Sequence, residues 1–278
     1  LGDTEVAVAI KAVSLNFRDI LVTRNTYFAP ISGGLVPCSD GAGEVVAVGS
    51  QVQGLAVGDR VATLFFPHWQ SGKPDARALS DARGAESAGA FTEHFVSDER
   101  GLIKLPDGLS YAEGATLPCA AVTAWNSLFE AGDLKPGQTV LLLGTGGVSI
   151  FALQFAKAAG AKVIITSSDD AKLERARVLG ADHGINYRRH PEWHEEVLRL
   201  TGGQGVDVVL EVGGPGTLER SLMSVATGGR IAYIGVLTGL AGAANPVMLI
   251  PKASSIQGIF VGSRAMFADM LAAIQTHV

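Results

Sequence analysis

The sequence predicts an α/β protein, with a β-rich N-terminal domain over residues 1–122 and a doubly wound parallel sheet of about six strands over residues 123–278. Three observations carry this reading. Short apolar strands separated by Gly, Asp and Pro fill the first part. From Lys135 onward, strand-like runs alternate with amphipathic helical segments, a pattern that needs a parallel sheet covered on both faces. The first of those strands runs directly into a glycine-rich turn, "GTGG", at Gly144.

Taken in order, "EVAVAIKAVSL", "GEVVAVGSQV" and "GDRVATLFF" are the clearest strands of the first domain. Between Pro67 and Gly89 lies "HWQSGKPDARALSDARGAESA", whose polar, Ala/Ser/Gly-rich composition reads as a mobile surface insertion. The second domain offers six strands: "TVLLLG", "KVIITS", "GINY", "VDVVLEV", "RIAYIGVL" and "SIQGIFVG". After the first of them, Val148, Phe151, Ala152, Phe155, Ala156 and Ala159 form one buried helical stripe, closed by Gly160. The next helix, "DAKLERARVLG", begins with acids and also ends in Gly.

Composition narrows the partners. A net charge of -5 provides no basic field for nucleic acid or anionic lipid, which leaves small molecules. The chain is 47% hydrophobic, yet its apolar runs are strand-sized and fall short of the roughly 20 residues that span a bilayer. No secretory signal opens the sequence, and a cytoplasmic location is the default expectation. Two cysteines, Cys38 and Cys119, are too few for a disulfide scaffold or a Cys-rich structural zinc loop.

The glycine turn reads as a nucleotide site. A strand ending at Gly144, followed by Gly146, Gly147 and a helix through Val148, aims backbone amides and a helix N-terminus at a pyrophosphate. The plain alternative is a tight strand-to-helix turn. Ser149 stands where a fuller fingerprint has its last glycine. At the end of the next strand, NAD-binding proteins place an acid about 20 residues beyond the glycines. Here Ser167 takes that place and Lys172 opens the following helix, which suits a 2′-phosphate. Asp169 and Asp170 argue the other way but read better as helix-capping residues. NADP(H) is therefore preferred over NAD(H).

The ordered motifs "SLNFRD", "SDGAGEVVAVG", "VGDRV", "GAFTEHFV", "ATLPCAAVTAW", "GTGGVS", "GADHGINY" and "GIFVGSR" resemble the medium-chain dehydrogenase/reductase family, in its zinc-independent, quinone-oxidoreductase-like branch. The resemblance implies a GroES-like domain for the substrate, a Rossmann domain for the cofactor, and homodimers paired through the last Rossmann strand, near "IQGIFVG". Members normally carry further strands before "EVAVAI" and return to the β domain after the helix near Met266. The chain is accordingly read as a fragment lacking both ends.

Zinc alcohol dehydrogenases of the family bind catalytic metal with Cys, His and Cys. Matched by motif, these fall on Asn16, Ser39 and Cys119. One retained thiol does not make a tetrahedral zinc site, so no zinc is expected, although Cys38 and Asp40 nearby leave an atypical site open. The resemblance implies that Asn16, Asp19 and Tyr27 line or support the nicotinamide pocket. In that reading Asn16 orients the carboxamide or the substrate oxygen, Tyr27 supplies a donor or a proton, and Asp19 orders the loop around them. The plain reading of Arg18 and Asp19 is a structural ion pair, and that of Cys119 a small buried residue. Thr123 and the backbone of Gly235, Val236 and Leu237 would approach the nicotinamide, and Tyr187 the adenosine. The plain reading of Tyr187 is a half-buried strand residue. His68, His94, His183, His190 and His194 lack metal-binding spacing.

The implied activity is zinc-free, NADP(H)-dependent hydride transfer between nicotinamide and a small quinone, enone or carbonyl/alcohol substrate. Three rivals stay open: an enoyl reductase of the polyketide or fatty-acid type, a zinc-type alcohol dehydrogenase with an atypical metal site, and a non-catalytic NADPH-binding protein.

Overall fold

The computed structural model describes residues 1–27 and 34–277. They fall into two compact units, Leu1–Val122 with Val261–Val278, and Thr123–Phe260. No helix of the described residues is long and apolar enough to cross a membrane.

The first unit holds a curled antiparallel sheet of β1 (Glu5–Ser14), β2 (Asp40–Val48), β3 (Arg60–Thr63), β4 (His94–Asp98) and β5 (Leu102–Lys104), in the order β4-β1-β2-β3-β5. Alternate side chains of these strands turn inward, so Val6, Val8, Val45, Val61, Phe95 and Leu102 form its core. Two short helices flank it, α1 (Phe17–Thr23) and α2 (Tyr111–Ala115). Close approach is built in at Gly43, where a β-carbon would lie 2.3 Å from the Ala9 carbonyl oxygen.

The segment between Pro67 and Gly89 corrects the sequence reading. Residues 71–77 are exposed, but Ala82, Arg83, Gly84 and Ala85 are buried. Arg83 donates through Nη2 to Ser97 Oγ and lies over the Phe95 ring, 4.7 Å from its centroid. Burial draws its pKa down to about 10. The end of the segment adds backbone bonds, Gly89 N–H to Val36 O (2.8 Å) and Ala90 N–H to Cys38 O (2.7 Å). Small residues that look like surface filler in sequence here permit backbone-to-backbone packing.

The second unit is a six-stranded parallel sheet of β6 (Thr139–Leu142), β7 (Lys162–Ser167), β8 (His183–Asn186), β9 (Val206–Glu211), β10 (Val225–Tyr233) and β11 (Ser255–Gly258), ordered β11-β10-β9-β6-β7-β8. All six strands expected from sequence are present. The strand after α3 (Val122–Trp125) starts a run outward to β8, and the chain then returns to pair β9 with β6. That reversal makes the β6–β9 boundary the topological switch point, outside whose carboxyl ends ligands bind in such sheets. Val140, Leu142, Ile165 and Leu210 pack on one face with α4 (Gly147–Ala158) and α5 (Asp170–Val178). Leu141, Ile164, Val209 and Ile231 pack on the other with α6 (Trp193–Leu200) and α7 (Pro215–Ser224). Adjacent residues thus feed opposite cores, which is why these strands read as continuous apolar runs. β10 lies second from the edge.

The sequence reading ran the second domain to residue 278. In the structure the last helix, α8 (Arg264–His277), groups with the first unit, where the Arg264 and Ala265 N–H groups donate to the Trp69 and Gln70 carbonyls at 2.9 Å each.

A β-carbon at Gly89 would lie 2.2 Å from Pro37 O and 2.3 Å from Cys38 O, both backbone atoms that cannot yield alone. Gly89→Ala is expected to cost about 1–3 kcal/mol in urea unfolding. An unchanged midpoint would contradict the packed insertion.

Candidate active site

The glycine turn is held from behind. Gly144 has φ +72, a left-handed backbone that favours glycine, and its N–H donates to Thr166 Oγ1 at 3.0 Å. Thr145 Oγ1 and Ser167 Oγ share a hydrogen bond of 3.2 Å. Ser149 is buried, and its hydroxyl donates to the Leu143 carbonyl at 2.7 Å, so a serine in the glycine position satisfies a carbonyl at the strand end. In front, β-carbons at Gly144 or Gly146 would meet nothing within 4 Å. Gly146 caps α4, and Gly147 and Val148 form its first turn. Backbone donors at a helix N-terminus, with open space before them, fit a pyrophosphate.

The neighbouring strand ends carry the other expected contacts. Ser167 ends β7, buried, and its carbonyl accepts from Tyr187 N–H at 3.0 Å. Tyr187 is 41% exposed rather than embedded in its strand. Lys172 lies exposed in the first turn of α5. Asp169 is the N-cap of that helix, accepting from Lys172 N–H at 3.1 Å, and Asp170 takes the Asn186 amide at 2.8 Å and pairs with Arg189. Both acids are thus occupied by their own neighbours. Gly235 follows β10 so closely against β9's exit that a β-carbon would lie 2.0 Å from Val212 O. Val236 is half-buried and Leu237 exposed. Thr123 is buried, its carbonyl accepting from Ser127 Oγ at 2.7 Å.

Glu211 escaped the sequence reading. It is fully buried at the end of β9, where its carboxylate accepts from Gly213 N–H (2.8 Å), Gly214 N–H (3.0 Å), Thr217 Oγ1 (2.6 Å) and Ser221 Oγ. Burial still raises its pKa. Its own backbone carbonyl accepts from Ile234 N–H at 2.8 Å, which ties the β9–α7 loop to the segment carrying Gly235. A separate recess of about 510 Å³, lined by Thr139, Lys162, His183, Gln204 and Asp207 among others, opens at the N-terminal ends of the same strands and takes no part in this arrangement.

The first unit gathers the remaining candidates around two acids. Asp19 Oδ2 accepts from Asn16 N–H at 2.8 Å, and its Oδ1 faces Arg18 Nη1 at 3.3 Å. Arg18 also donates to the Arg83 carbonyl at 2.7 Å, with its guanidinium 4.9 Å from the Tyr27 ring and 4.8 Å from that of Phe65. Arg18 and Asp19 thus form a buried ion pair, and Asp19 also accepts from the Asn16 backbone. Burial pushes the Tyr27 phenol up to about 12, so it remains an O–H donor. Asp40 is completely buried at the start of β2. Oδ1 accepts from Ser39 Oγ at 2.7 Å and Oδ2 from Cys119 N–H at 3.1 Å. Burial pushes Asp40 up to about 7, and pushes Cys119 well above the usual thiol range. Among the described residues no three His, Cys, Asp or Glu side chains group as metal ligands.

A parallel sheet with a glycine turn beside its switch point, joined to an antiparallel unit bearing a buried polar cluster, defines a dinucleotide-binding enzyme of the Rossmann class. Residues 2–107 match the family model described as alcohol dehydrogenase GroES-like domain, and residues 147–276 that described as zinc-binding dehydrogenase. The chain belongs to the medium-chain dehydrogenase/reductase family, whose members are oxidoreductases using nicotinamide cofactors. A zinc-type alcohol dehydrogenase-like protein of Schizosaccharomyces pombe is 46% identical over 281 residues, covering 99% of this chain and 81% of the relative. The crystal structure of a putative alcohol dehydrogenase from Sinorhizobium meliloti superposes with a TM-score of 0.93 at 42% identity, covering 99% of this chain and 82% of that one. Quinone oxidoreductase of Escherichia coli, complexed with NADPH, superposes with a TM-score of 0.84 at 26% identity, covering 100% and 80%.

Asp40 generates a pH prediction. Its folded pKa of about 7 lies above the ordinary 3.8, so between these values the folded state holds a proton that the unfolded chain has released. Stability from this group therefore falls as pH rises from about 4 to about 7. Asp40→Asn removes that titration. Its melting temperature relative to the wild type is expected to rise between about pH 4 and about pH 7 and then level off, and a constant difference would contradict an ionisable group buried there.

Proposed function

We propose that this protein is an NADP(H)-dependent reductase that acts without a metal on small conjugated carbonyl compounds, enones or quinones. The observation that carries the reading is the fate of the three positions matching the zinc ligands of family members. Asn16, Ser39 and Cys119 offer an amide, a hydroxyl and one thiol, and the Ser39 hydroxyl is spent on Asp40. That donor set, with one sulfur and no imidazole, does not fit tetrahedral zinc.

When bound, the nicotinamide supplies or accepts hydride at C4. This chain's residues do the rest. The amides at Gly146, Gly147 and Val148 would hold the pyrophosphate, and the backbone after β10 would stand against the nicotinamide. Reduction of a conjugated carbonyl places charge on its oxygen, which needs hydrogen-bond donors rather than a Lewis acid. Tyr27, protonated across the physiological range, is the donor assigned to that oxygen. Asn16 is assigned to the carboxamide.

Support for NADP(H) comes from Ser167 and Tyr187 at adjacent strand ends and Lys172 in the first turn of α5, with the acids at the β7 terminus spent on a helix cap and on Asn186 and Arg189. The exposed edge strand β11, paired only with β10 among the described strands, is assigned to pairing with a second copy.

The test is cofactor oxidation across a panel of enones, quinones and aldehydes. NADPH-linked reduction of enones or quinones is expected, and no turnover across the panel contradicts a catalytic role. Lys172→Ala is expected to weaken NADPH by about 10- to 100-fold, as for loss of one charge-assisted contact, and NADH far less. Equal losses for both cofactors would contradict the 2′-phosphate assignment.

A further inference from the structure

We propose that Glu211 is a positioning residue for hydride transfer: its carboxyl fixes the backbone after β9 against the backbone after β10, and the two loops together form the wall on which the nicotinamide rests. This deepens the reductase reading above and rests on its cofactor. Glu211 ends β9, which borders β6 and its glycine turn at the switch point, where dinucleotides lie across sheets of this topology. With the pyrophosphate assigned to the first amides of α4 and the 2′-phosphate to the end of β7, the nicotinamide half falls over β9 and β10. The carboxyl acts on that side. Oε1 accepts from Gly213 N–H at 2.8 Å, Gly214 N–H at 3.0 Å and Thr217 Oγ1 at 2.6 Å, and Oε2 accepts from Ser221 Oγ. Gly213 and Gly214 are buried, so an apolar side chain in place of Glu211 would strand both amides.

The loop held in this way is locked to the next one. Thr238 donates through both its N–H and its Oγ1 to Gly213 O at 2.8 Å each, and its Oγ1 accepts from Gly216 N–H at 2.9 Å. The Glu211 carbonyl takes Ile234 N–H at 2.8 Å and Gly235 N–H at 3.2 Å. Backbone meets backbone: a β-carbon at Gly214 would lie 2.9 Å from Gly235 O, and one at Gly235 would lie 2.0 Å from Val212 O. At such separations, displacement of one loop displaces the other. A carboxyl is a costly way to end a strand whose Val206, Val208, Val209 and Leu210 are fully buried. What it supplies is an acceptor oxygen on which three donors converge, with a single hydroxyl on the other oxygen. Glutamine reproduces that pattern, because its Oε1 accepts the same three donors and its Nε2 donates to a Ser221 hydroxyl turned to accept.

The experiment compares the full chain as wild type, Glu211→Ala, Glu211→Gln and Thr238→Val. It reads kcat and KM with an enone, the Kd of NADPH, the Kd of 2′,5′-ADP as the adenosine end without nicotinamide, and the fluorescence of bound NADPH. Glu211→Ala is expected to lower kcat by about 10- to 100-fold, the scale of a misplaced reacting group, and to weaken NADPH while 2′,5′-ADP binds as before. Glu211→Gln is expected to recover most of that loss. Thr238→Val changes an exposed side chain, so the fold is retained, and it is expected to lower kcat by about 3- to 10-fold with the same split between the two ligands. Bound-NADPH fluorescence is expected to shift in both slowed variants. Parallel weakening of NADPH and 2′,5′-ADP, wild-type kcat in both Glu211→Ala and Thr238→Val, or equal losses in Glu211→Gln and Glu211→Ala would each overturn the proposal. A wild type that binds NADPH and reduces no substrate would instead overturn the reductase reading, and the comparison of the two ligands would still decide the place of Glu211.

Discussion

Burying a carboxylate is among the more expensive things a fold does, and Asp40 is buried completely. The hydroxyl of Ser39 and the backbone amide of Cys119 together offset that cost, and in doing so they are drawn to one point. Asn16 opens α1, and Asp19 on that helix bonds back to the Asn16 amide. Arg18 balances Asp19, reaches the Arg83 carbonyl, and lies between two aromatic rings. The Pro67–Gly89 segment is thus connected to the polar cluster through Arg83, and its packing bears on the site as well as on stability.

The second unit solves the complementary problem of leaving polar groups unspent. Gly144 N–H is consumed by Thr166, the Leu143 carbonyl by Ser149, and the acids after β7 by a helix cap and by Asn186 and Arg189. What remains in front of the turn is open space at Gly144 and Gly146, together with the first amides of α4. Glu211 performs the same service at the far strand ends, absorbing four donors so that the loops after β9 and β10 keep one conformation. A preorganised cradle of this kind loses little on binding its ligand.

Much of this was legible in the sequence where the signal is local. The six parallel strands announce themselves as apolar runs because each feeds two cores, and Asp169 announces a helix start because capping acts over three residues. Other features were hidden because their cause is distant. Asp40 and Cys119 lie 79 residues apart, and nothing near either one signals the bond. Glu211 looks like an ordinary strand terminus until its loop folds over it. The insertion looks like solvent-exposed filler because alanine and glycine serve equally for surfaces and for tight packing. The grouping of α8 with the first unit depends on backbone bonds to Trp69 and Gln70, which no periodicity within the helix records. Cys38 adopts φ +75, a backbone state that usually signals glycine, so composition gave no hint of a turn there.

In the proposed function, hydride transfer proceeds without a metal at Asn16, Ser39 and Cys119, the positions that match the zinc ligands of other family members. Elemental analysis of the purified, catalytically active protein, with turnover measured before and after exhaustive chelation, addresses it most directly. The account predicts no stoichiometric transition metal and an unchanged rate. One zinc per chain, lost together with activity and restored together with it, would contradict it.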